Sequence, residues 1–270
     1  MTARPRKIHG VDFSGAVDAG RRIWVASGLI EKRALRIEEC RRGEELPGSG
    51  RGRDQCLAAL REFIRSQRGC AFGLDFPFGL PGALVKDASW EEFVLAFPDR
   101  YSTPEEFRDA CQRASCGVEW RRATDLESRT PFSPYNLRVY RQTYFGIREL
   151  LAPLVRDGSA CVPPMQRALP GKPWILEICP ASLLKLERLY KPPYKGGSEA
   201  HRAARARILS KIKKAVPLSL PSRLRRILLD DRGGDALDSV IAACGTLRAL
   251  RNPDGLDAAG AYALEGYVYV

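Results

Sequence analysis

The chain has 270 residues, with 44 Lys+Arg against 32 Asp+Glu, a net charge of +12 and 44% hydrophobic residues. That length supplies a full core, so folding needs neither disulfides nor a structural metal. No apolar run approaches the ~20 residues that span a bilayer, and the start MTARPRKIHG runs straight into a strand; a cytoplasmic protein with no membrane partner is expected.

Taken in chain order, the opening reads as a β-meander. Residues 7–14 (KIHGVDFS) predict a strand, Asp18-Ala19-Gly20 a turn, and 22–30 (RIWVASGLI) a second strand. Residues 33–40 predict a third, with Leu35 and Ile37 on one face. Residues 54–66 place Leu57, Leu60, Phe63 and Ile64 on one helical face. The apolar run CAFGLDF (70–76) predicts a strand covered on both sides and ended by Pro77 and Pro81.

Residues 84–171 break this alternation with helices expected at 90–97, 104–115 and 134–154. The last keeps Leu137, Tyr140, Tyr144, Ile147, Leu151 and Leu154 at helical spacing. No linker isolates the block, which reads as a helical insertion within a single domain, 1–270. Residues 173–179 (PWILEIC) predict another buried strand, 200–215 a basic helix and 217–221 a break. A long apolar helix is expected at 235–250 behind Gly233-Gly234, and a short edge strand at 267–270. The order is compatible with an α/β, RNase H-like layout: a mixed five-stranded sheet flanked by helices, with the insertion between the fourth and fifth strands.

The 8 cysteines form no CxxC pair and read as reduced core residues. Only 2 histidines are present, His9 and His201. His9 lies three positions from Asp12 and so points to the opposite face of the strand. A Ser-His-Asp hydrolase or a His-rich zinc enzyme is disfavoured, and any chemistry is expected to run on carboxylates.

Five acids stand where core elements should be apolar. Asp12 sits amid Ile8, Val11 and Phe13, where a carboxylate must be neutralised, paired or metal-bound; a turn role toward Ser14-Gly15 is the alternative. Asp75 ends an otherwise apolar run, as a ligand site at a strand's carboxyl end would require, or as a turn former before Pro77. Glu177 interrupts Trp174-Ile175-Leu176, either as a site residue or in a buried ion pair with an arginine from the insertion. Asp235 and Asp238 share a helical face, and could equally be the N-cap and capping-box acids of their helix. Clustered carboxylates repel unless a cation joins them, and oxygen-only donors suit Mg²⁺ or Mn²⁺. Two such ions can hydrolyse a phosphodiester without a histidine base.

The stretches GVDFSGA, GLDFPFGLP, LEICPAS and DALDSVIAA, followed by EGYVYV, resemble the predicted RNase H-like nucleases catalogued as domain of unknown function 429. TPFSPYNLRVYRQTYFGIRELLAPL, inside the insertion, also looks like a family segment. The resemblance implies an RNase H-like fold and a metal-dependent nuclease. It carries a metal-ligand role onto Asp12, Asp75, Asp235 and Asp238, with Glu177 a further candidate. The DALD pair looks like the Holliday-junction-resolvase branch, except that Asp-Arg-Gly-Gly stands where a histidine is often found.

Basic residues crowd the region from Arg202 to Arg226, and Arg129, Arg138 and Arg141 add a second group beside Tyr135 and Tyr140. Such groups suit phosphate contacts and base stacking, or form a solvated face. Lys191 and Lys195 flank Pro-Pro-Tyr in a segment that reads as a substrate loop. A nucleic-acid partner and two Mg²⁺ or Mn²⁺ ions are therefore expected. The alternatives are a non-catalytic binding protein on the same scaffold and, more remotely, a small-molecule phosphotransferase.

Overall fold

In a computed structural model, which describes residues 4–252, 255–256 and 260–270, the meander forms as expected. β1 (Lys7–Asp12) is followed by a helical turn, α1 (Ala19–Arg22), rather than a simple reverse turn. The Arg22 guanidinium donates to Asp18 at 2.7 Å across that turn. β2 (Trp24–Glu31) and β3 (Ala34–Arg42) then pair antiparallel in succession. Helix α2 (Arg53–Ser66) leads into β4 (Cys70–Leu74), which lies parallel to β1.

The insertion holds α3 (Trp90–Arg100), α4 (Pro104–Ala114), α5 (Ala123–Glu127), α6 (Tyr140–Phe145), a π-helical stretch at Gly146–Leu151, and α7 (Ala152–Arg156). Its first two helices start at side-chain caps. Ser89 accepts from the Glu92 N–H (3.2 Å) and Thr103 from the Glu106 N–H (3.1 Å). Glu92 and Glu106 reach back to the N–H groups of Ala88 and Ser102. The helix expected over 134–154 instead begins at Tyr140. Asn136 accepts the Arg138 N–H at 2.9 Å, a local turn that competes with helix, and Leu137 is left 66% exposed.

β5 (Trp174–Ile178) is parallel to β4, and α8 (Pro180–Leu186) and α9 (Glu199–Ala215) follow. Next come β6 (Leu218–Ser219), α10 (Ser222–Asp230), α11 (Asp235–Arg251), α12 (Tyr262–Glu265) and β7 (Val268–Tyr269). The result is a mixed α/β fold whose sheet runs β6-β3-β2-β1-β4-β5-β7, seven strands where five were expected. The two strands beyond those five are outermost and two residues long, and β7 is the short edge strand expected at 267–270. β6 lies within the segment read as a break, because two residues between prolines show no period; it pairs parallel with β3. β7 pairs parallel with β5. Among the described residues no helix is long and apolar enough to cross a membrane.

Alternation along β1 sorts its side chains between two cores. Val11 and Phe13 pack with α2 and the insertion helices, whereas Ile8 packs with α9 and α11. On the second face the α11 backbone lies directly on β1. A Cβ at Gly10 would stand 2.1 Å from the Ser239 carbonyl oxygen and 2.3 Å from the Ala243 N. This close approach brings the first turn of α11 over the carboxyl end of β1. Gly10→Ala should therefore destabilise the protein by about 1–3 kcal/mol or more, as overpacking does. Thermal denaturation checks it, and an unchanged melting temperature would contradict the packing.

Candidate metal centre

The site is built where β1 and β4 end. Asp12, the last residue of β1, is only 8% exposed. Asp75 follows β4 immediately, and its N–H continues the ladder by donating to the Val11 carbonyl at 3.1 Å. The two acids thus stand side by side at the carboxyl ends of adjacent parallel strands.

Two more arrive from α11. Gly234 is its N-cap in the left-handed region (φ 77°), and the cap acceptor is neither Asp235 nor Asp238. Asp231 accepts the Ala236 N–H at 3.0 Å instead. The capping alternative is thereby overturned, and both acids of the first turn are left to face the cleft. Ligand oxygens of Asp12, Asp235 and Asp238 lie within 4.8 Å of one another.

Their electrostatics follow from burial and crowding. Burial holds the Asp12 carboxyl well above the usual range; Lys195 opposes this, and the charges of Asp238, Asp235 and Asp75 add to it. Burial, then the Asp238 charge, pushes Asp75 up to about 8. Asp238, 3% exposed, is likewise raised by burial against the pull of Lys195. Such groups demand positive charge, and the chain supplies one. Lys195 Nζ lies 3.0 Å from Asp235 Oδ1 and 2.8 Å from Asp238 Oδ2. Burial alone would lower its pKa, but Asp238 and Asp12 hold the ammonium above its ordinary value.

Tyr194 completes the arrangement, its hydroxyl donating to Asp238 Oδ1 (2.7 Å) and Oδ2 (3.0 Å). The loop is pinned from behind. Buried Arg205 donates to the carbonyls of Tyr194 (2.6 Å), Gly196 (3.0 Å) and Leu229 (2.9 Å). Neither Tyr194 nor Arg205 stood out in the sequence. One sits in a proline-rich loop and the other in a helix full of arginines, where nothing marks the buried one.

Glu177 lines the cleft, but its carboxylate is held in an ion pair. Its carboxylate is gripped by Arg122 of the insertion, Nη1 to Oε2 at 2.8 Å and Nη2 to Oε1 at 2.5 Å, and it also accepts the Phe78 N–H at 2.9 Å. Arg122 is fully buried and holds Asp125 as well, at 2.9 and 2.8 Å. Burial raises Glu177 and Arg122 opposes it. The ion-pair alternative accounts for this residue, which ties the insertion to the sheet beside the acids.

Around the acids opens a cleft of ≈ 1320 Å³, lined by Arg138, Arg141, Lys191 and Lys195 among others, with Phe132, Tyr140 and Tyr190 on its walls. Arg138 stacks over the Phe132 ring at 5.3 Å. Arg141 donates to Glu105 at 2.5 Å and to the Tyr140 hydroxyl at 2.9 Å. Arg129 is a correction. It is exposed at a left-handed position (φ 52°), outside the cleft lining, with its N–H donating to the Leu126 carbonyl at 3.3 Å and its carbonyl accepting from Lys185 at 2.7 Å. Cys179 also lines the cleft, but burial pushes its thiol up to about 12, so it is no nucleophile at neutral pH. Six of the cysteines are buried as expected, while Cys116 is exposed.

His9 faces away from the acids, stacked on Phe72 at 4.4 Å with Nδ1 against Ser27 Oγ at 2.8 Å. Burial, with Lys7 and Arg41 nearby, lowers its pKa to about 3. The folded state therefore resists a proton that the unfolded state accepts from pH 6.5 downward. This group contributes stability above 6.5 that is lost at about 1.4 kcal/mol per pH unit as the pH falls toward 3. His9→Phe should flatten that slope in urea titrations at several pH values; an unchanged slope would contradict it.

No family model, curated protein or solved structure matches this chain. The functional reading rests on the geometry.

Proposed function

We propose that this protein is a metal-dependent nuclease with an RNase H-like core. The observation that carries the proposal is the convergence of Asp12, Asp235 and Asp238, whose ligand oxygens lie within 4.8 Å of one another although two come from the far end of the chain. The inner strand order β3-β2-β1-β4-β5, antiparallel then parallel, agrees with that layout, and the insertion lies between β4 and β5.

The donor set fits Mg²⁺ or Mn²⁺. It is all oxygen and compact, with Asp12 and Asp238 buried and Asp235 half-buried, and two of its acids already hold an ammonium. Asp12, Asp235 and Asp238 would hold the cation, with Asp75 beside them. When bound, such an ion activates water and neutralises charge on a phosphodiester. In the hydrolysis, oxygen from water bonds to phosphorus as the bond to the leaving oxygen breaks, and that oxygen gains a proton from water. Arg138 and Lys191 on the cleft walls would hold backbone phosphates, while Phe132 and Tyr190 offer ring faces to bases.

Purified protein should cleave DNA or RNA with Mg²⁺ or Mn²⁺ and stop in EDTA. Failure on every polynucleotide substrate, with metal bound, would sink the proposal. Arg138→Ala should weaken binding in EDTA and reduce the slope of log affinity against log salt by about 0.9, one phosphate contact. Fluorescence anisotropy over a salt series reads this; an unaltered slope would remove Arg138 from the interface.

A further inference from the structure

We propose that Lys195 is the second cation of the acidic centre, so that the site takes one divalent ion rather than two. This rests on the nuclease reading above and deepens it.

A two-ion centre needs a carboxylate shared between ions about 3.5–4 Å apart. The acids of the α11 first turn are already committed on one side. Lys195 Nζ is 3.0 Å from Asp235 Oδ1 and 2.8 Å from Asp238 Oδ2, and the Tyr194 hydroxyl contacts both Asp238 oxygens. A carboxylate engaged in this way by an ammonium and a phenol is poorly placed to bridge a second ion. The compact donor group of Asp12, Asp235 and Asp238, with Asp75 beside it, then serves one ion.

The lysine is not a stray surface chain. Its side chain is 50% exposed, but the backbone on both sides is fixed. Arg205 binds the carbonyls of Tyr194 and Gly196, and the Gly196 N–H donates to the Arg232 carbonyl at 2.7 Å. An ammonium carries three donors. Two serve Asp235 and Asp238, and the third is left for a phosphoryl oxygen of the substrate. Lys195 thus supplies the positive charge that a second ion would otherwise bring.

Calorimetric titration of Mn²⁺ into wild type, Lys195→Met and Lys195→Arg tests this. Wild type and Lys195→Arg should each bind one ion, and Lys195→Met should bind two. Wild type binding two ions, or none, or Lys195→Met still binding one, would overturn the inference. Should Lys195→Met not fold, Lys195→Gln replaces it with the same expectation. Cleavage is scored separately. One ion without cleavage of any polynucleotide removes the nuclease reading and leaves the Lys195 assignment standing; cleavage with two ions does the reverse.

Discussion

Replacing Asp12 by Asn is expected to have two opposite effects. Metal-dependent cleavage should fall on the order of 10²–10³-fold or more, the scale on which a single preorganised electrostatic group contributes. Metal-free stability should rise by about 0.5–2 kcal/mol, because the substitution removes one of several buried, mutually repelling carboxylates. Lys195 keeps both of its partners, Asp235 and Asp238, so the loop is not released. Initial-rate assays and thermal melts in EDTA read the two effects. A variant that cleaves as well as wild type, or that melts lower without metal, would contradict the role given to Asp12. The same repulsion sets a pH dependence. The folded-state pKa of Asp75 is raised to about 8, so in EDTA the wild type should gain stability as the pH falls through that value and the carboxyl takes up its proton. Below pH 6.5 the buried neutral His9 works in the other direction.

The second large effect is expected at Arg122. Its guanidinium serves Glu177 and Asp125 together, with bidentate geometry toward Glu177, and all three residues are buried. Arg122→Met leaves two carboxylates without a cation in the interior, a loss of about 3–5 kcal/mol when a buried pair is broken from one side. Arg122→Lys keeps the charge but not the planar fork and should recover only part of it. The network reaches further. Arg122 Nη1 also donates to the Glu265 carbonyl at 3.2 Å, and Glu265 accepts the N–H groups of Gly82 (2.6 Å) and Ala123 (2.7 Å). Urea unfolding should therefore show the insertion and the chain end near β7 lost in one transition. A loss under about 1 kcal/mol, the scale of an exposed pair, would contradict this account.

Much of the centre was legible because carboxylates in apolar runs are conspicuous. Asp12 and Asp75 break two strands that otherwise read as core, and a helical turn separates Asp235 from Asp238. What the pattern does not contain is partnership. Glu177 was as conspicuous as the others, and only the position of Arg122, 55 residues away in a segment without clear periodicity, assigns it to an ion pair. Asp235 looked like a cap until Asp231, hidden in Asp-Asp-Arg-Gly-Gly, proved to be the acceptor. Arg129 and Arg138 are equivalent by composition. A left-handed backbone at Arg129 and the Phe132 ring beneath Arg138 separate them. The sheet was legible at its long inner strands. The edge strand at the chain's end was legible too, but β6 was not, because its two residues pair by position rather than by pattern.

The most direct test of the account is anomalous scattering from crystals grown with Mn²⁺. The predicted result is a peak within coordination distance of the carboxylates of Asp12 and Asp238. Crystals in millimolar Mn²⁺ that show no peak there, or manganese bound only elsewhere on the molecule, would contradict it.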